Sequence, residues 1–207
     1  MTLDEALAES GVIAILRGVT PDEILAVAGA LHAAGVRVVE VPLNSPEPIE
    51  SIRRLASVFH GRLFCGGGTL LTAADVDAVA AAGGRLMVSP NVDAGVIRRA
   101  VALGAVPFPG FATATEAFCA IQAGARHLKL FPASTYGPAH LKALKAVLPP
   151  EVKVSPVGGV GAADMAVWRR AGAEGFGIGS ELYKPGMTPE ETGRRAAGLV
   201  AAEKAAR

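Results

Sequence analysis

Lys129 and Glu40 occupy positions in this sequence where an ordinary structural residue would be apolar. Lys129 lies in His127-Leu128-Lys129-Leu130-Phe131. The run reads as a strand, and a strand's two-residue period sends Leu128 and Leu130 to one face and Lys129 to the other. Burial inside a packed protein disfavours the ammonium form. It can bring a lysine from about 10.4 toward roughly 7–8, where the free amine attacks carbonyl carbon. A lysine that snorkels to the strand rim, or one held in a salt bridge, fits the same pattern. Glu40, in Val36-Arg37-Val38-Val39-Glu40-Val41-Pro42, has the same parity, with Val39 and Val41 on the opposite face. A carboxylate facing an interior lysine can move protons during carbinolamine formation, dehydration and C–C cleavage. A structural ion pair between the two fits equally well, and in either case the pair titrates as a unit.

Other polar residues fall at the ends of strand-like runs. Arg17 closes the first such run, just before Gly18. There it is suited to bidentate capture of a carboxylate, although a surface arginine in a loop reads the same way. The last two runs end in Val157-Gly158-Gly159-Val160 and Gly177-Ile178-Gly179-Ser180. Gly159 and Gly179 allow backbone N–H groups to approach an anion such as phosphate, and Ser180 adds a hydroxyl. Two tight turns with no anion are the alternative. Cys65-Gly66-Gly67-Gly68-Thr69 lacks the lysine of a nucleotide loop. It reads as backbone lying against a substrate, with Thr69 donating a hydrogen bond. His32, His60, His127 and His140 show no metal-ligand spacing, so no metal is expected. Cys65 and Cys119 form no CxxC pair and, each lying in an apolar run, are expected to be buried free thiols.

These residues need elements to hold them. Short β-branched runs at 12–16, 36–41, 63–66, 86–89, 106–109, 127–131, 152–157 and 175–178 predict strands. Ala-rich segments at 21–34, 72–82, 93–103, 113–123, 138–148, 162–171 and 189–205 predict helices. Several of these end at Gly, as a left-handed cap requires. Strand then helix, repeated in about 25 residues per unit, predicts an α/β fold of the (β/α)8 TIM-barrel type. An open doubly wound sheet would carry a phosphate loop after its first strand. Here that segment is Arg17-Gly18-Val19-Thr20, with no GxGxxG or Walker pattern. One domain over 1–207 is expected, and the last helix is expected to cap the barrel base or an interface. In a barrel the functional residues sit at the carboxyl ends of the strands, where the polar residues above fall.

Composition narrows the function further. With 20 basic and 19 acidic residues the formal net charge is +1, which provides no footprint for nucleic acid and no polybasic membrane patch. No apolar stretch approaches the roughly 20 residues of a membrane span, and the first residues lack a signal-peptide pattern. A cytoplasmic enzyme acting on a small molecule is the expectation. A phosphate-binding isomerase or epimerase with Glu40 as base, or a non-catalytic binding barrel, would carry the same composition.

Taken in order, a set of motifs resembles the KDPG/KHG aldolase family. They are Ala14-Ile15-Leu16-Arg17-Gly18, Val39 to Pro46, Gly66-Gly67-Gly68-Thr69, Ser89-Pro90-Asn91, Pro109 to Ala117, Leu128 to Ala133 and Val157-Gly158-Gly159-Val160. The resemblance spans nearly the whole chain. It implies a class I aldolase, usually a homotrimer, needing no cofactor. Such an enzyme splits a phosphorylated 2-keto-3-deoxy sugar acid into pyruvate and D-glyceraldehyde 3-phosphate. It makes Lys129 the Schiff-base residue and Glu40 the general acid/base. Arg17 and Thr69 match positions for the pyruvyl portion, and Gly159, Gly179 and Ser180 match positions for phosphate. Val157 sits where the family tunes stereochemical preference. The gluconate-type branch usually carries Arg soon after the Glu. This chain has Leu43-Asn44-Ser45-Pro46 there and Arg17 at the first strand end, which resembles the galactonate-type branch. The substrate implied is 2-dehydro-3-deoxy-6-phosphogalactonate, with Asn44 joining Arg17 and Val157 in selecting the C4 epimer.

Overall fold

Eight parallel strands alternate with helices along residues 1–207, all of which the computed structural model describes. The strands are β1 (Val12–Ile15), β2 (Val38–Pro42), β3 (Phe64–Gly68), β4 (Leu86–Ser89), β5 (Val106–Phe111), β6 (His127–Leu130), β7 (Lys153–Pro156) and β8 (Phe176–Ile178). Their hydrogen-bonded order is β7-β6-β5-β4-β3-β2-β1-β8. A parallel bridge between Val157 and Gly177 closes the seam between β7 and β8. The predicted (β/α)8 barrel is the fold. No helix is long and apolar enough to cross a membrane.

Strand parity sorts the side chains into two layers. Val39, Val41, Leu128, Leu130, Val154 and Phe176 point outward and join a shell of 49 buried residues between sheet and helices. Ile13, Val38, Phe64, Leu86, Val88 and Phe108 point inward and fill the lower barrel. Their tier ends below Glu40 and Lys129, so the apolar plug supports the two polar residues from beneath.

The outer helices are α2 (Ile24–Ala33), α3 (Pro48–Val58), α4 (Ala73–Ala81), α5 (Ala94–Ala102), α6 (Ala114–Gln122), α7 (Ala133–Lys145), α8 (Met165–Arg170) and α9 (Pro189–Ala205), preceded by α1 (Leu3–Glu9) at the base. Helix α3 lies outside the predicted segments. Pro48 starts it, but only Ser51, Ile52 and Leu55 are buried, and Glu50, Arg53 and Arg54 dilute its apolar period. Helix α7 runs further toward its N-terminus than predicted, with a break at Gly137, whose φ is 74°.

The base is sealed by α1 rather than by the last helix. A capping box between Thr2 and Glu5 starts this short helix. Leu3, Ala6 and Leu7 then face one way and join the inward cluster. Asp4 anchors it to the floor, 3.2 Å from the His127 ring and 2.8 Å from Lys153 Nζ. The body of α9 packs on α2 as an outer-ring helix through Ala196, Leu199 and Val200. Arg207, beyond its end, reaches the plug and donates to the Leu7 and Ala8 carbonyls. Leu3 is 2% exposed. Leu3→Ala is therefore expected to cost about 2–4 kcal/mol in urea unfolding, as a buried cavity does. A loss under about 0.5 kcal/mol, the size of an ordinary surface change, would mean that α1 does not close the barrel.

Cys119 departs from expectation. Cys65 is buried, and burial pushes its thiol up to about 11. Cys119 is exposed on α6, because the helical period buries Ala117 and Ala120 and turns Phe118 and Cys119 outward.

Candidate active site

The carboxyl ends of the strands surround a cleft of about 880 Å³. Register sets who meets whom. Ile15 of β1 pairs with Glu40 of β2, and Glu40 with Gly66 of β3. Across the barrel, Lys129 pairs with Gly110 of β5 and Ser155 of β7. Glu40 and Lys129 therefore enter the cleft from opposite sides of the ring. They are 3% and 8% exposed, which excludes a snorkelling lysine.

Glu40 and Lys129 influence each other electrostatically but form no direct salt bridge. Oε2 of Glu40 is buried with no hydrogen-bond partner. Burial pushes the carboxyl up to about 7, partly opposed by the positive charges of Lys129 and Arg17. Burial likewise holds the Lys129 amine below its ordinary value; Glu40 opposes that and Arg17 adds to it. The amine lies 4.7 Å from the centre of the Phe131 ring. A structural ion pair would bring the two groups into contact. Here both stand desolvated and unpaired, and both line the same cleft.

The glycines of β3 serve this arrangement directly. A Cβ on Gly68 would sit 1.8 Å from Glu40 Oε2, and one on Gly66 2.0 Å from the Leu86 carbonyl oxygen. These glycines do not line the cleft. The sequence reading of the run as backbone against a substrate is corrected: they make space for the Glu40 carboxylate and for β4. Thr69 does line the cleft, and its φ of 62° is left-handed. A β-branched residue in that region is strained, a state that persists only where surroundings impose it.

The other predicted residues also converge, with one exception. Arg17, Val157, Gly159, Gly179 and Ser180 all line the cleft. Val157 is inward at the β7–β8 seam, and a Cβ on Gly177 would lie 2.5 Å from its Cγ2. Gly158 and Gly159 have φ of 92° and 74°, so successive left-handed residues curl the backbone after β7. Leu182 and Tyr183 N–H both donate to the Gly179 carbonyl, forming a helical turn that starts at Ser180. The N–H groups of Gly159 and Ser180 have no acceptor within the chain. Two backbone segments thus present donors to one end of the cleft, as an anion requires. Asn44 is the exception: it does not line the cleft, and its Oδ1 accepts a hydrogen bond from Arg17 Nη1.

Phe131, Tyr183 and Lys184 also line the cleft and were missed. Phe131 shares the parity of Lys129 two residues on, so strand alternation carried its signal. Tyr183 and Lys184 lie past the last strand, where no periodicity applies. No group of three or more His, Cys, Asp or Glu side chains is placed to hold a metal ion.

A family model described as KDPG and KHG aldolase matches residues 3–194. The chain belongs to the KDPG and KHG aldolase family. As a member it is an aldolase, a carbon–carbon lyase. It is 50% identical over 194 residues to the 2-dehydro-3-deoxy-6-phosphogalactonate aldolase of Escherichia coli (strain K12), covering 94% of this chain and 95% of that one. A probable enzyme of the same name from Rhizobium meliloti (strain 1021) is 46% identical, covering 94% of this chain and 92% of that one. A solved structure described as native KDPGal superimposes with a TM-score of 0.93 at 49% identity, covering 94% and 95% of the two chains.

Proposed function

We propose that this aldolase cleaves 2-dehydro-3-deoxy-6-phosphogalactonate to pyruvate and D-glyceraldehyde 3-phosphate through a Schiff base on Lys129. The observation that carries the reading is the desolvated amine of Lys129 facing, without pairing, the desolvated carboxyl of Glu40. The similarity to 2-dehydro-3-deoxy-6-phosphogalactonate aldolases supports the choice of substrate.

Neutral Lys129 adds to the C2 carbonyl. Glu40 donates a proton to the departing hydroxyl, and water leaves a protonated imine. The C3–C4 bond then breaks, its electron pair moving toward the iminium to form an enamine. The proton of the C4 hydroxyl passes to Glu40, directly or through water, and glyceraldehyde 3-phosphate departs. The enamine is reprotonated at C3, and hydrolysis releases pyruvate and the free amine. The iminium is the electron sink, so the residues present suffice without a metal or cofactor. A carboxyl near 7 suits Glu40 to both giving and taking a proton near neutrality. Arg17 and Thr69 hold the pyruvyl carboxylate, the Gly159 and Gly179–Ser180 backbone holds the phosphate, and Val157 shapes the wall near C4. The enzyme works in the cytoplasm as a homotrimer.

Borohydride added with pyruvate is expected to inactivate the enzyme and to leave one reduced pyruvyl adduct, mapped to Lys129. An unmodified Lys129 peptide would sink the Schiff-base mechanism. Parallel assays of the two C4 epimers should favour the galactonate type; equal or reversed kcat/KM would sink the substrate assignment alone.

A further inference from the structure

We infer that Asn44 is a positioning residue that holds the Arg17 guanidinium over the cleft, so that it acts on the substrate's carboxylate through Arg17 and not on C4 itself. The inference rests on the role proposed above for Arg17.

Arg17 is a long side chain on an exposed strand end, and nothing in β1 fixes its direction. Asn44 supplies the fix from the neighbouring loop, its Oδ1 accepting from one terminal nitrogen of the guanidinium. The remaining N–H groups stay available to an anion, since Arg17 makes no other hydrogen bond or salt bridge within the chain. A second contact ties the same two loops together. The Gly18 N–H donates to Ser45 Oγ at 2.9 Å, and Ser45 is buried. Gly18 has φ of 82°, and a Cβ there would lie 2.6 Å from Pro185 Cγ, so the β1 loop is pinned on its other side by the loop after β8.

The loop carrying Asn44 is itself anchored. Leu43 N–H donates to the Gly68 carbonyl at 2.7 Å, and Ser45 N–H to the Pro42 carbonyl at 2.9 Å. Asn44 is thus held beside β3, the strand that accommodates Glu40 and leads into Thr69. Its neutrality matters. An aspartate would grip Arg17 more firmly but would cancel the charge needed for a carboxylate. Asparagine orients the cation without neutralising it. Because Arg17 also acts electrostatically on both Glu40 and Lys129, its placement affects the reaction centre as well as binding.

The test is a double-mutant cycle on the whole enzyme, read by calorimetric titration with pyruvate, which has no C4. Asn44→Ala is expected to weaken pyruvate about tenfold, the size of one charged hydrogen bond, and to raise KM by the same factor with a smaller change in kcat. Asn44→Asp should weaken pyruvate more than Asn44→Ala does, and Asn44→Gln less. In an Arg17→Ala background, Asn44→Ala should add nothing. The acid limb of the pH profile should move upward in Asn44→Ala, since a displaced Arg17 no longer opposes the protonation of Glu40. Additive effects in the cycle would overturn the inference. So would an Asn44→Ala variant that binds pyruvate normally and loses only turnover of the sugar acid, because Asn44 would then touch the substrate itself. Borohydride trapping of the parent enzyme is read separately: failure to trap removes the Schiff-base reading, while the cycle still decides the role of Asn44.

Discussion

Lys129→Met is expected to lower kcat by a factor on the order of 10⁴ or more, the loss that follows removal of a covalent nucleophile. Methionine keeps most of the side chain's volume and brings no charge, so the fold should survive the change. Stability should hold or rise, because the parent must keep a polar amine desolvated at 8% exposure. The effect should also travel to Glu40. Lys129 is the first of the two charges that pull this carboxyl down against burial. Without it, the Glu40 carboxyl should rise above about 7, visible as a protonated carboxyl band persisting at higher pH in infrared difference spectra. Pyruvate and borohydride should no longer label the protein. Retention of more than about a hundredth of the parent kcat, far above the residue expected for a lost nucleophile, would show that the amine is not the attacking group.

How far the sequence reaches can be judged residue by residue. Inward parity for Lys129 and Glu40 follows from single-residue alternation with leucine and valine, a strong local signal, and the barrel preserves it. Parity says nothing of separation, so ion pair and working pair could not be told apart until register placed them on opposite sides of the ring. The convergence of Arg17, Thr69, Gly159, Gly179 and Ser180 was legible because a barrel gathers every strand end at one mouth. What failed was local detail with no periodic signature. Helix α1 is a short plug of about two turns whose role depends on the floor it meets. Cys119 looked buried in an apolar run because a run hides which helical face each residue takes. Thr69's left-handed backbone is imposed from outside and contradicts its own preference, as happens where a site overrides local rules. Asn44 was expected beside the cleft and instead lies behind Arg17, because a short polar side chain at a loop start can reach a ligand or a neighbour and no periodicity signals which.

Glu40→Gln should separate catalysis from stability in opposite directions. Turnover of the sugar acid should fall by about 10²–10⁴, as for loss of a general acid/base. Labelling by pyruvate and borohydride should become slower yet still reach completion, since Lys129 remains. The stability change has a definite sign. The fold raises the Glu40 carboxyl from 4.5 to about 7, so the native state prefers the protonated form. That preference stabilises the fold fully below the unfolded value of 4.5, and it is lost as pH rises through about 7. At pH 8 the parent therefore carries a buried carboxylate that glutamine does not. Glutamine fits the same space beside Gly68, where a Cβ on the neighbouring strand would collide with the carboxylate. Its amide is also poorly partnered, which trims the gain. The variant should be more stable than the parent by about 1–3 kcal/mol at pH 8, with the advantage shrinking steadily toward pH 5. Urea unfolding at pH 5, 6, 7 and 8 measures this. A difference that does not change with pH, or one that grows toward acid, would mean that Glu40 is not held protonated by the fold. Its place as the proton carrier opposite Lys129 would then need another residue.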